Sequence, residues 1–222
     1  VEMLAMYFIH DGGETSKWRL KGHGAKKFWE WICSWSVFIS KPSDIGFYGD
    51  DFELPPLIKH RHCVRDETTS EGALLALPAL GLKDRIDIRR NTISTRMDKV
   101  KELAESMEGQ CIIWCELNDE ADYLMASLDA VEIRGNDKEE YKAHTVNRFA
   151  SSDFRLLVTK PEIAAFGVNW QQCQNMIFCS ITDSFERTYQ AIRRCWRYGQ
   201  EKPVNVHFIY TERQHSIMDN LT

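Results

Sequence analysis

Eleven residues, Gln190-Ala191-Ile192-Arg193-Arg194-Cys195-Trp196-Arg197-Tyr198-Gly199-Gln200, hold three arginines, two glutamines and two aromatic rings. A guanidinium stays charged throughout the physiological range, and its planar fork of donors matches phosphate oxygens two at a time. The spacing predicts a helix from Phe185 to Trp196 on which Arg194 and Arg197 stand one above the other, with Gln190 one turn earlier. Such a face can grip a polyphosphate. Ser184 offers that helix an N-cap, with Arg187 at the third position after it.

The elements that must hold this segment alternate from residue 96 onward. Met97, Val100, Leu103 and Met107 mark one side of a helix over 96–107, stopped near Gly109. Cys111 to Cys115 is a continuous apolar run, as expected of a strand covered on both faces. A helix over 119–128, a strand over 130–133 and a helix opening at Asp137 follow. Further strands are expected over 154–159, 175–179 and 204–209. Helices alternating with short buried strands predict an α/β fold: a three-layer parallel sheet with helices on both faces. In such folds ligands collect at the carboxyl ends of the strands. The loops after Cys115, Thr159 and Cys179 are therefore the candidates, the second carrying Lys160, Gly167 and Asn169.

Upstream, residues 1–10 read as a helix ending near Asp11. Phe28, Trp31, Ile32, Trp35 and Phe38 give the stretch 25–39 helical spacing and a wide aromatic face. That face either packs into a core or remains as an exposed apolar patch. Turn-forming residues fill 41–56, and an extended run, Leu57 to Val64, follows. A short helix is expected around Leu74–Leu80. The stretch ending Arg89-Arg90-Asn91-Thr92 reads as a connector, and the polar tail after Thr211 as fraying.

The glutamine followed by arginines spaced i, i+3 resembles the last motif of superfamily 2 helicases and DNA translocases. The trailing Tyr198-Gly199-Gln200 resembles the ending found in their chromatin-remodelling (sucrose-non-fermenting) branch and its phage and prophage relatives. Thr159, Gly167 and Asn169 are similar to the motif in which a strand-ending Thr or Ser precedes a glycine turn, and Leu54-Pro55-Pro56 resembles the element leading into the second motor domain. Lys160, Pro161 and Glu162 stand where many relatives carry small residues.

The resemblance implies a RecA-like helicase C-terminal domain, related to P-loop NTPases but without its own P-loop. It also implies residues 1–39 as the end of a first motor domain or linking helices, and 40–222 as the second motor domain. The cofactors it implies are ATP and Mg²⁺ in the complete protein, and the partners are an N-terminal motor domain and DNA, of duplex form. It assigns Arg197 and Arg194 as arginine fingers, and Gln190, Gly167, Asn169 and Thr159 to the nucleotide side. Lys160, Arg134 and Arg155 are candidate contacts to the DNA backbone. Arg193 receives no catalytic part.

Of the Asp-Glu pairs, Asp66-Glu67 and Asp119-Glu120 do not end a strand, and no Gly-x-x-x-x-Gly-Lys-Ser/Thr loop occurs. This chain alone is therefore expected not to hydrolyse ATP. A net charge of −5 over 222 residues argues against a uniformly basic clamp while leaving room for a local basic strip. Seven cysteines without framework spacing read as free thiols, and no apolar stretch reaches membrane-spanning length. A cytoplasmic setting, bacterial or phage-infected, is expected.

Three rival readings stay open. One is a nucleic-acid-binding module without nucleotide, and another a scaffold with no ATP-dependent role. The third is a hydrolase using Asp183, Ser184 and His207, although no Gly-x-Ser-x-Gly elbow is present.

Overall fold

The computed structural model describes residues 2–10, 18–37, 39, 42–48, 53–65, 82–163, 167–182 and 184–221. The chain divides into two compact units, 1–52 and 53–222.

In the first unit, helix α1 (Glu2–Tyr7) gives way to strand β1 (Phe8–His10), which pairs antiparallel with β2 (Trp18–Leu20). The helix expected over 1–10 is thus cut short because Phe8 to His10 find strand partners. The Lys21 ammonium donates to the Ala5 carbonyl at 2.7 Å and to that of Met6 at 3.2 Å, satisfying groups at the end of α1. Helix α2 (Ala25–Trp35) follows, and both expectations for its aromatic face are met in part. Phe28 packs edge-on against Tyr7 and Phe8, and Trp31 stacks on Tyr7. Trp29 and Trp35 are 58% and 63% exposed.

The second unit runs β3 (Leu57–Val64), α3 (Leu82–Asn91), α4 (Ile93–Ser106), β4 (Cys111–Trp114), α5 (Asn118–Ser127) and β5 (Val131–Glu132). It continues with α6 (Glu139–Ala150), β6 (Leu156–Thr159), β7 (Asn175–Phe178), α7 (Phe185–Ile192), β8 (Val204–Thr211) and α8 (His215–Leu221). Six strands form one parallel sheet in the order β3-β8-β7-β4-β6-β5. Every residue of β4, β6 and β7 is buried. Alternate residues point to opposite faces. Ile112, Trp114, Leu157, Met176, Phe178 and Phe208 meet residues of α6, α7 and α8 on one side. Ile113, Leu156, Val158, Ile177 and Ile209 meet α4 and α5 on the other. This is the expected three-layer α/β architecture. Among the described residues no helix is long and apolar enough to cross a membrane.

Three local expectations are corrected. The connector ending at Asn91 is the helix α3, held by Ile88, 2% exposed, and by the Arg96 guanidinium on the Arg89 carbonyl. The tail does not fray: Thr211 and Gln214 cap a turn into α8, which buries Ile217, Met218 and Leu221. Helix α7 stops at Ile192, four residues early. The helix expected around Leu74–Leu80 lies outside the described residues.

All seven cysteines are free thiols, with Cys33 and Cys63 exposed and the other five buried. Burial raises the thiol pKa of Cys111 well above its ordinary value, and the Cys179 thiol beside Cys115 does the same there. Thiolate is the reactive form. Titration of the native chain with an aromatic disulfide should therefore modify Cys33 and Cys63 quickly and the buried five only after denaturation. Rapid loss of a third thiol would contradict this packing.

On the edge formed by β3 and β8, the His207 ring stacks on His60 with centroids 4.3 Å apart and on His62 at 5.2 Å. His207 Nδ1 lies 2.9 Å from His62 Nε2. Burial first, then the neighbouring His60 and His62, pushes the His207 pKa down from 6.5 to about 4. The folded state therefore resists a proton that the unfolded chain accepts. That contribution is complete above pH 6.5 and is lost as the pH falls through about 4. Urea midpoints should decline over this window in the parent and decline less in His207→Asn. Parallel declines would remove His207 as the cause.

Candidate functional site

Helix α7 begins where the Ser184 hydroxyl accepts the Arg187 N–H at 3.3 Å, as an N-cap should. Its far end is the arginine segment. Beyond Ile192 the chain continues in tight turns: Arg194 N–H donates to Ala191 O at 3.2 Å and Cys195 N–H to Ile192 O at 3.1 Å. The cause is anchoring. Cys195 enters the core, Trp196 Nε1 donates to Pro55 O at 2.7 Å, and Gln200 Nε2 donates to Cys173 O at 3.0 Å. Pro55 and Cys173 lie just ahead of β3 and β7, so the segment sits beside the amino-terminal edge of the sheet, not at the carboxyl ends expected for a ligand.

Arg194 and Arg197 are thus not stacked on a helix face. They remain close enough for Arg197 to lower the Arg194 pKa, an effect second to burial. Neither has a carboxylate partner among the described residues. Two neighbouring half-buried cations without a counter-ion favour an anion between them. Arg193 turns away and lies over the rings of Tyr189 and Trp196, at 5.9 and 5.3 Å. Gln190 is exposed on α7.

The loop after β6 reaches this segment. Trp170 N–H donates to Arg194 O at 2.9 Å, so Asn169 and the arginines belong to neighbouring stretches of one face. Gly167 adopts φ 65°, a left-handed turn natural to glycine, and both it and Asn169 are exposed. Residues 164–166 lie outside the described residues. Trp170 is 1% exposed and packs against Trp114 and Phe149, which removes it as a surface for base stacking. Trp196, bound to Pro55, packs as expected. Thr159 does not face that surface: buried, its hydroxyl donates to Ile133 O at 3.1 Å.

A second locality lies at the carboxyl edge. A cleft of about 360 Å³ opens over the ends of β4, β5 and β6, lined by Thr159, Lys160, Arg134, Asn118, Glu132 and Glu162. Arg134 is paired with Asp122 and with Glu132 at 2.7 Å. Lys160 makes no ion pair among the described residues. Arg155 is not part of this cleft. It precedes β6, at the opposite edge, and donates to the Ala104 and Met107 carbonyls at 2.8 and 3.1 Å, closing the end of α4.

Sequence reasoning passed over an ion network that stiffens the carboxyl edge. The Arg96 and Glu120 side chains, both fully buried, meet at 2.6 Å. Glu120 also accepts the N–H groups of Glu116 and Leu117, at 2.8 and 3.1 Å. Arg96 adds the carbonyls of Cys179 and Arg89 and the Thr92 hydroxyl. Arg187 Nη2 lies between Glu162 at 2.7 Å and Glu116 at 3.4 Å. Burial raises the Glu116 pKa, against the pull of Arg187 and Arg89. The one sequence signal was acidic residues directly after strand ends, with Arg187 in the first turn of the helix opposite.

Of the hydrolase candidates, Ser184 caps α7, His207 stacks in the sheet and Asp183 lies outside the described residues. Among the described residues no cluster of three metal-ligating side chains occurs.

Residues 95–199 match the family model of the helicase conserved C-terminal domain. The second unit has the RecA-like α/β fold of that domain class. No curated protein matches the chain. Among solved structures, the C-terminal part of the Fun30 ATPase domain is similar with TM-score 0.51 and 19% identity, over 56% of this chain and 44% of that one. The C-terminal domain of the DEAD-box protein Dbp5 has TM-score 0.52 and 13% identity, over 75% and 83%. E. coli DEAD-box protein SrmB, bound to regulator of ribonuclease activity A, has TM-score 0.51 and 12% identity, over 76% and 85%. At these identities the likeness speaks to fold. The chain spans under half the length of the Fun30 chain it matches.

Proposed function

We propose that this chain is the C-terminal half of an ATP-driven DNA translocase of the chromatin-remodeller-like branch. Residues 1–39 would belong to the end of the first motor domain or its linking helices, and 40–222 to the second motor domain. Arg197 and Arg194 would face the polyphosphate of an ATP whose phosphate loop and Mg²⁺ the first motor domain holds. The observation that carries this reading is the pair of neighbouring guanidiniums without a carboxylate partner, fastened through Arg194 O to the loop that bears Asn169.

Arg197 and Arg194 bind and neutralise phosphate charge, which speeds phosphoryl transfer when it is stronger in the transition state. Gln190, Gly167 and Asn169 line the approach. Thr159 supports the β6 loop from beneath through its bond to Ile133. Lys160 and Arg134 border a cleft suited to DNA phosphates, and contact there would carry no base readout. Arg155, at the other edge, would need a separate strand contact to take part.

The test is steady-state ATP hydrolysis by the full-length protein with and without duplex DNA. Duplex-stimulated turnover is expected. Turnover indifferent to DNA, or none, would leave a binding module or scaffold.

A further inference from the structure

The carboxyl-edge ion network has an anchored half and a loose half. In the anchored half, Arg96 and Glu120 are wholly enclosed, and Glu120 fixes the backbone at Glu116. The loose half is Arg187. Its Nη2 is shared between Glu116, 12% exposed, and Glu162, 66% exposed, while its Nε has no partner.

These two carboxylates differ in how easily they are replaced. Glu116 is held on the turn after β4 and stays beside Arg187 whatever occupies the surface. Glu162 sits on the β6 loop, where Arg187 is its one ion-pair partner among the described residues. An ion pair this exposed is screened by water and salt and holds weakly. Phosphate and carboxylate oxygens compete for the same guanidinium fork. Glu162 also lines the cleft that contains Lys160, two positions earlier on the same loop. A backbone drawn to Lys160 therefore arrives beside the Arg187–Glu162 pair.

We propose that Arg187 is a phosphate contact for duplex DNA held in reserve by Glu162, whose carboxylate occupies the guanidinium until a backbone phosphate displaces it. The inference rests on the reading that DNA lies along this cleft. Glu116 keeps the guanidinium aimed during the exchange, and Glu162 moves into water. Release of counter-ions from the polyanion drives the substitution. The arrangement favours an extended polyanion over a single small anion, because only a ligand already held at Lys160 presents its next phosphate at the pair.

The test is binding of a short fluorescein-labelled duplex to the full-length protein without nucleotide, by anisotropy across a salt series. Glu162→Gln, at an exposed position, should tighten binding about 3–10-fold and steepen the slope of log K against log salt by about 0.9, one added phosphate contact. Adding Arg187→Gln should cancel both changes. A gain that persists in the Arg187→Gln background would reflect removal of a negative charge alone and overturn the inference. So would no response to Glu162→Gln. A parent protein that does not bind duplex even at low salt would overturn the functional reading itself, which separates the two failures.

Discussion

Full-length protein carrying Arg197→Ala is expected to lose duplex-stimulated ATP turnover by roughly 10³-fold or more, the range for arginine fingers. The expectation rests on placement as well as residue type. Arg197 lies outside the helix, in turns fastened by Trp196 to Pro55 and by Gln200 to Cys173. Its backbone is thus held rigidly while its side chain has no carboxylate to satisfy it among the described residues. A fixed backbone carrying an unpaired cation can act without reorganising when charge develops on a phosphoryl group. Arg197→Lys keeps the charge and loses the fork, so it should recover only part of the rate. Because the Arg194 pKa is depressed by burial and then by Arg197, removing one cation should also raise the affinity of Arg194 for its own proton. The two residues should therefore be non-additive, the double variant costing much less than the product of the singles. Full activity in Arg197→Ala would remove the arginine pair from the chemistry.

The second large effect concerns stability. Arg96→Met leaves the Glu120 carboxylate enclosed without its cation and the carbonyls of Arg89 and Cys179 without their donor. Breaking a buried ion pair from one side costs about 3–5 kcal/mol. For a domain of this size each kcal/mol lowers the melting temperature by roughly 2–4 °C, so the variant should melt roughly 6–20 °C below the parent. Glu120→Leu should behave similarly, because it strands the Arg96 guanidinium and frees the N–H groups of Glu116 and Leu117. Replacing both partners should recover part of the loss, but not all, since the backbone groups they satisfy remain. Urea unfolding of the four chains measures this directly. A single variant as stable as the parent would mean that water reaches this pair.

The layers were readable where burial is strongest. Cys111 to Trp114, Leu156 to Thr159 and Asn175 to Phe178 are short apolar runs, and all three are interior strands. Helix α3 escaped notice because Leu82-Lys83-Asp84-Arg85-Ile86-Asp87-Ile88-Arg89-Arg90-Asn91 is mostly charged. Its hold comes from Ile88 and from Arg96 on the following helix, which periodicity does not report. Helix α8 is seven residues long, too short for a 3.6-residue pattern to declare itself.

At the site, the residue types were legible and the geometry was not. A helix-period argument aligned Arg194 with Arg197, whereas Cys195 and Trp196 are drawn inward and end the helix. Arg155 was a different kind of oversight: it precedes its strand, so its place at the edge opposite Lys160 was readable from order alone. Arg187 had partners in two distant loops, and no local pattern links residues 46 or 71 positions apart.

The pairing of β3 with β8 has a consequence for how the chain is made. His62 meets His207 across 145 residues of sequence. On a ribosome β3 emerges early and its only neighbour in the sheet emerges last, so the edge stays unpaired until nearly the whole second unit has been synthesised. The α4-to-β7 block can assemble meanwhile around its own parallel pairs, because β4, β6 and β7 need no residue beyond Phe178. Closure of a loop this long is entropically slow, and an open strand is a site for wrong pairing. Final folding should thus be gated by the arrival of β8, with chains arrested before Val204 exposing β3 to holdase chaperones and completed chains burying it.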